Sequence, residues 1–323
     1  MNVIDRIAIA LCVAATLSAL PAVAQTFPSK PIRVIVPYPP GGTSDILTRL
    51  IGVKLTESWG QQVIADNRSG ASGNIGAGLT ARAAPDGYTL LLTDVGNLTI
   101  SSILFTKLPF NVLEDFAPVT TISYSPHLLA THPSVPVKTT KELIALAKAH
   151  PGKLNFATAL GGAPHLAGLN FAQRTGINWV FVPTKGGSQS SFAVTTGDGD
   201  VLFLGILQTL PQVNIGKLKA IANTYTKRMS AAPNLATAAE QGYPVVSIGH
   251  WAGLMAPKST PPEILEKVNA ELQAVLKTKE TIDRLVPSGI EPAGGSIADF
   301  AKFIGAERAR LSAIAKKSGM KEE

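Results

Sequence analysis

Short apolar runs alternate along the chain with stretches of helical periodicity. The runs Ile32–Val36, Val63–Ala65, Tyr88–Leu92, Leu128–Thr131, Leu154–Ala157, Trp179–Val182, Val201–Leu204 and Leu218–Ala222 predict strands. Several are apolar throughout, as strands covered on both faces are. Between them, Ile46, Leu47, Leu50, Ile51 and Leu55 mark one helix face, with Thr43 or Ser44 as its cap. Thr139 or Thr140 opens a helix that runs to Ala149 and ends at Pro151-Gly152. Thr260-Pro261-Pro262-Glu263 supplies a cap hydroxyl, proline in the first turn and an acid near the positive end of the dipole. Leu265, Val268, Leu272 and Leu276 then repeat at helical spacing, as do Ile297, Phe300, Ile304, Leu311 and Ile314 before Gly319. Strands alternating with helices predict an α/β fold. No polar linker interrupts it, so two domains would be joined by strands, with Val119–Ser123 and Val245–Met255 as the apolar crossings.

The 323 residues exceed one typical domain. Net charge is +7, but the basic residues are scattered and their densest runs are short. That pattern argues against nucleic acid as a partner and for mild attraction of anions. The N-terminus carries Arg6, an apolar stretch from Ile7 to Leu20, and then Pro21-Ala22-Val23-Ala24-Gln25. This predicts a secretory signal cleaved after Ala24. The stretch is shorter than the ~18–20 residues of a membrane span. Cys12, the only cysteine, lies inside the signal, so the mature chain has neither disulfides nor thiolate metal sites.

Four glycine-bearing turns follow predicted strands. The first is Tyr38-Pro39-Pro40-Gly41-Gly42-Thr43, with Asp45 just beyond. The second spans residues 66–76 and includes Gly73 and Asn74, the latter suited to capping a helix. The third runs from Thr158 through Gly161 and Gly162 to His165, and the fourth is Pro183-Thr184-Lys185-Gly186-Gly187-Ser188. A strand, a glycine turn and a helix N-terminus together make an anion site, because the first backbone N–H groups have no partner within the helix. Four such turns fit the crevice at the carboxyl ends of strands where ligands bind in open α/β sheets. None is a P-loop, since no Gly-Lys-Ser/Thr follows at the right spacing. Gly76, Gly78 and Ala81 match G-x-G-x-x-A, but the long preceding loop and the early Pro85 are wrong for a dinucleotide, and no cofactor is expected. There is no G-x-S-x-G or H-E-x-x-H, and the five histidines show no metal-ligand spacing.

Over nearly its whole mature length the chain resembles the Bug receptors, substrate-binding proteins of tripartite tricarboxylate transporters. The matching segments are FPSKPIRVIVPYPPGG at 27–42, Asp45, Asn67-Arg68, GASGNIG at 70–76, APDGYTL at 84–90, EDFAP at 114–118, HPS at 132–134, KEL at 141–143, HLAG at 165–168, Lys185-Gly186 and WAGL at 251–254. The resemblance implies a two-lobed periplasmic binding fold with two α/β lobes, two crossing strands and ligand in the cleft. It implies that turns of the Pro39–Thr43 and Gly161–His165 kind hold a carboxylate, often through water. It also implies delivery of the ligand to membrane subunits of a tripartite transporter. The chain departs from the family pattern at Thr184, where tyrosine is common, and at Leu204, where an acid is common. Gly162 and Ala163 stand where hydroxyls are frequent. A leucine in place of an acid disfavours a buried ammonium group, so a plain carboxylate is expected over an amino acid.

The resulting expectation is a signal at 1–24, a first lobe of 25–123 with 247–323, and a second lobe of 124–246. Tyr38, Pro40, Gly41, Gly42, Thr43, Asp45, Gly73 and Asn74 would serve the site from the first lobe. Thr158, Gly161, Gly162, His165, Thr184, Lys185 and Leu204 would serve it from the second. The expected protein is a periplasmic, non-enzymatic, monomeric receptor for a small carboxylate. A ligand-binding module reporting to a membrane sensor, and an exported enzyme, are the other readings.

Overall fold

The computed structural model describes residues 27–101, 105, 107–112, 114–225, 227–243 and 249–317. The signal segment, Cys12 and Gly319 lie outside the described residues, as do positions 245–248 of the second crossing. Along the chain come β1 (Ile32–Val36), α1 (Thr43–Trp59), β2 (Val63–Asn67), α2 (Asn74–Ala81) and β3 (Thr89–Asp94), then a π-helical turn at Val95–Ile100. Next are β4 (Phe116–Ser125), β5 (His127–Thr131), α3 (Thr140–Ala149), β6 (Asn155–Ala159), α4 (Ala163–Thr175) and β7 (Val180–Thr184). They are followed by α5 (Gly187–Thr196), β8 (Val201–Gly205), α6 (Ile206–Asn214) and β9 (Lys219–Asn223). The chain closes with β10 (His250–Pro257), α7 (Pro262–Lys277), α8 (Lys279–Leu285), β11 (Glu291–Pro292) and α9 (Ile297–Lys317).

These strands form two sheets, of order β11-β4-β10-β3-β1-β2 and β7-β6-β8-β5-β9. In the first, β1 runs parallel to β2 and β3, and β10 runs antiparallel to β3 and β4. In the second, β6 runs parallel to β7 and β8, and β5 runs antiparallel to β8 and β9. The chain leaves the first sheet at Ser125 and enters the second at His127. Pro126 between them has no N–H to donate, so a ladder cannot run through it. β10 pairs with β4 as far as His250 opposite Ser125, so the two crossing strands lie side by side at the junction.

The apolar runs are explained by cover on both faces. Ile32 and Val34 of β1 pack with Leu47, Ile51 and Leu55 of α1, while Ile35 turns to the other side with Ala77 and Leu91. In the second sheet Phe156, Phe171, Trp179 and Phe203 form the centre, with Phe171 stacked on Trp179 at 5.5 Å. A Cβ at Gly168 would lie 2.9 Å from the Phe156 ring, so only glycine lets α4 sit this close.

All eight expected strands form, most of them one or two residues further toward the C-terminus. Three caps differ from expectation. Thr43 and Ser44 lie inside α1, whose N-cap is Gly42. Asn74 lies inside α2 behind Gly73. The Thr260 hydroxyl donates to the Pro257 carbonyl, and the N-cap of α7 is Pro261. The glycines of the G-x-G-x-x-A pattern are packing positions: a Cβ on Gly76 would lie 3.0 Å from the Arg68 carbonyl, and one on Gly78 3.2 Å from Pro109.

Candidate ligand-binding site

Three helices begin immediately or within three intervening residues of a strand end, a fourth, α1, follows β1 after the six-residue turn 37–42, and each begins on a glycine. The N-caps of α1, α4, α5 and α6 are Gly42, Gly162, Gly186 and Gly205, and none makes a side-chain cap hydrogen bond. Side chains cap two other helices, while α2 starts on Gly73 and α7 on Pro261 without one. Thr139 accepts from the Glu142 amide at α3, and Thr278 from the Thr281 amide at α8. A glycine cap leaves first-turn N–H groups to whatever lies before them, at the positive end of the helix dipole, although in α6 the Ile206 amide already donates to the Pro126 carbonyl at 3.2 Å. All four starts line a single cavity of about 90 Å³. That is room for a small molecule, since one water needs only ~10–15 Å³ on the same measure.

Glycine is also needed because the two lobes meet here. A Cβ on Gly205 would lie 2.9 Å from the Thr43 hydroxyl, and one on Gly186 3.2 Å from the Pro39 ring. Hydrogen bonds cross the cleft beside them. The Thr43 hydroxyl donates to Gln208 Oε1 at 3.1 Å, and Gln208 Nε2 donates to the Gly41 carbonyl at 3.3 Å. The Ser72 hydroxyl donates to the Leu160 carbonyl at 2.8 Å.

At the carboxyl end of β3 a buried carboxylate enters the cavity wall. Asp94 accepts from the Gly96 and Asn97 amides at 2.7 and 3.1 Å and from the Tyr38 hydroxyl at 2.8 Å. His250 Nε2 stands 3.4 Å from its other oxygen. Burial pushes the Asp94 carboxyl upward, but the hydrogen bond and charge of His250, then Tyr38 and Asn97, outweigh it and hold the group below the usual range. Burial first, then the Asp94 charge, pushes the Tyr38 phenol well up. His127, also in the wall, is taken down to about 3 by burial and then by the charge of His250.

Of the residues expected to serve the site, Tyr38, Gly42, Thr43, Gly162 and Leu204 line this cavity. The others stand behind it. Gly41, in the left-handed region, donates its amide to Asp45 at 2.9 Å, and Asp45 pairs with Arg49. The Pro40 carbonyl accepts from Ser188. Gly73 packs on Pro37 and Asn97, and Asn74 beside it is buried with Oδ1 unbonded among the described residues. The Thr158 hydroxyl points at the Ala159 carbonyl. Gly161 donates to His165 Nδ1 at 3.2 Å, and that ring sits edge-on to Phe181. The Thr184 hydroxyl meets Ser190, which itself lines the cavity, at 2.7 Å. Lys185 is exposed, its amide held by Gln189. Sequence reasoning did not place Ser44, Asp94, Gly96, His127, Ser190, Gln208 or His250 here. A faint signal existed for Asp94 at a strand end and for the histidines beside the expected crossings.

Two α/β bodies joined at paired crossing strands, with a cavity of helix N-termini between them, define a periplasmic binding protein. The chain belongs to the tripartite tricarboxylate transporter receptor family (TctC), whose model matches residues 47–320. Protein BugT of Bordetella pertussis is 34% identical over 305 residues, 94% of each chain. The solved structure of R. palustris Rpa4515 with adipate is 32% identical, covers 92% of this chain and all of its own, and superposes with a TM-score of 0.90. MatC from Rhodopseudomonas palustris with bound malate is 29% identical, with coverage of 89% and 99% and a TM-score of 0.85. The family and these neighbours are solute-binding receptors rather than enzymes.

Proposed function

We propose that this protein captures a small organic carboxylate in its cleft and hands it to the membrane subunits of a tripartite transporter. The observation that carries the reading is the convergence of four helix N-termini, each capped by glycine, on one cavity. Such termini offer N–H donors and partial positive charge to an anion without a fixed cation. Tyr38, Gly42 and Thr43 face the ligand from a lobe of residues 25–123 and 247–323. Gly162 and Leu204 face it from a lobe of residues 124–246. Pro40, Gly41, Asp45, Gly73, Asn74, Thr158, Gly161, His165, Thr184 and Lys185 hold the turns behind them in shape. Contact with both lobes is what favours the closed state, since a ligand shifts an equilibrium only by its differential affinity. Hinge motion belongs at Pro126 and the paired start of β10.

Leu204 keeps the second-lobe wall apolar, and the oxygens of Asp94 are occupied by Tyr38, Gly96, Asn97 and His250. Plain carboxylates therefore bind better than aspartate or glutamate. The mature chain is a periplasmic monomer that starts at Gln25. Thermal melts of purified mature protein with mono- and dicarboxylates and amino acids test the reading. A ligand at a hundred times its Kd adds about 2.7 kcal/mol, roughly 5–10 °C in Tm. Stabilisation by amino acids alone refutes the specificity, and stabilisation by no acid refutes the function.

A further inference from the structure

The cavity's charges do not balance once an anion enters. Among its described lining residues Asp94 is the only carboxylate, there is no Lys or Arg, and only His127 and His250 can carry positive charge. His127 is the first residue of β5 and His250 the first of β10, so each crossing strand brings one imidazole to the wall. The first turns of four helices can hold a ligand carboxylate, but a full negative charge already sits beside them on Asp94. The nearest donors, the Gly96 and Asn97 amides and the Tyr38 hydroxyl, are already bonded to it. Two anions sharing a buried site raise the proton affinity of what lies between them.

The imidazoles are placed to answer that demand. Both rings are at least nine-tenths buried, and the Nδ1 of each has no hydrogen-bond partner among the described residues. His250 Nε2 faces Asp94 Oδ2. Burial holds the His127 ring neutral in the empty cavity, and its Nδ1 is unbonded, so it is the ring with room for a proton once a ligand's charge lies beside it. The other titratable groups around the pair are few. Tyr38 lies beside Asp94, and Tyr124, Tyr225, Glu307 and Arg310 line a second cavity on the far side of His250. Arg310 and Glu307 are paired at 2.7 Å and bring no net charge.

We propose that this receptor takes up its carboxylate together with one proton from solvent, and that the pair His127–His250 accepts it. The inference rests on the carboxylate reading above. Its test is titration calorimetry of the full mature chain with adipate and with malate, in phosphate and in Tris at pH 7, and then across pH 6–8. The expected result is a difference in heat between buffers that corresponds to about one proton bound per ligand, with affinity falling roughly tenfold from pH 7 to pH 8 by linkage. Replacing both rings, His127→Gln with His250→Gln, should abolish the buffer difference. Equal heats in both buffers with a flat affinity overturn the proton coupling and leave the carboxylate reading intact. Uptake that persists in the double variant overturns the assignment to this pair. Binding of neither acid, together with no stabilisation by any mono- or dicarboxylate in the thermal melts, removes the carboxylate reading and the inference with it.

Discussion

Burying a neutral imidazole makes the folded protein sensitive to acid, and His127 allows the size of the effect to be worked out. Its ring is 2% exposed and its folded-state pKa is lowered to about 3, against about 6.5 in an unfolded chain. Because the folded value is depressed, protons bind the unfolded chain better. The contribution is complete above about pH 6.5 and is lost as pH falls below it, at about 1.4 kcal/mol per pH unit until the folded value is reached. At pH 5 the loss is about 2 kcal/mol, and it changes little for any folded value below about 4. The variant His127→Gln cannot titrate there. Equilibrium urea unfolding without ligand, at pH 8 and pH 5, should show the wild type losing about 2 kcal/mol more than the variant. Asp94, held below its usual range, and His165, taken down by burial to about 4, contribute to both proteins and cancel to first order. Equal losses in the two proteins would refute the reasoning.

Three further outcomes follow from the cleft. Gln208→Ala removes two hydrogen bonds between the lobes, each worth about 0.5–1.5 kcal/mol, so carboxylate affinity should fall roughly 5- to 160-fold while the melting curve without ligand changes little. Gly205→Ala sets a methyl 2.9 Å from the Thr43 hydroxyl; an overpacking cost of about 1–3 kcal/mol falls on the closed state alone, and calorimetry should show binding weakened while urea stability is kept. Asp45→Ala frees the Gly41 amide and leaves Arg49 with Asn67 but no carboxylate; loss of a hydrogen bond to a charged group, about 1.5–3 kcal/mol, should lower Tm by several degrees.

The strands were legible because both their faces are buried. β1, β5 and β8 read as apolar runs in sequence and lie between helices or partner strands in the molecule. Legible too were the glycine turns, since nothing else in the chain explains Gly41-Gly42 or Gly186-Gly187 at strand ends. What the pattern hid was the meaning of those turns for the caps. Thr43 and Ser44 look like capping residues by type, yet a cap hydroxyl would occupy the very donors that the cavity exposes, and the chain begins its helix one residue earlier. Asp94, His127, Gln208 and His250 were hidden for another reason. They come together from three strands and a helix far apart in sequence, and no short-range spacing records that meeting. His165 stood at a promising turn, but its ring bonds back to Gly161 and shapes the loop rather than the cavity wall.

The glycine caps carry one more consequence. A helix start without a side-chain cap is locally incomplete, and here four such starts, from two different bodies, face the same few ångströms of space. On the proposed reading, the bound acid does for α1, α4, α5 and α6 what Thr139 does for α3. Its oxygens finish secondary structure that the polypeptide leaves unfinished. Recognition and folding then become one event at these four turns. The backbone amides just after Gly42, Gly162 and Gly186 should be the ones whose hydrogen exchange slows most when the ligand arrives, more than Ile206, which Pro126 already holds.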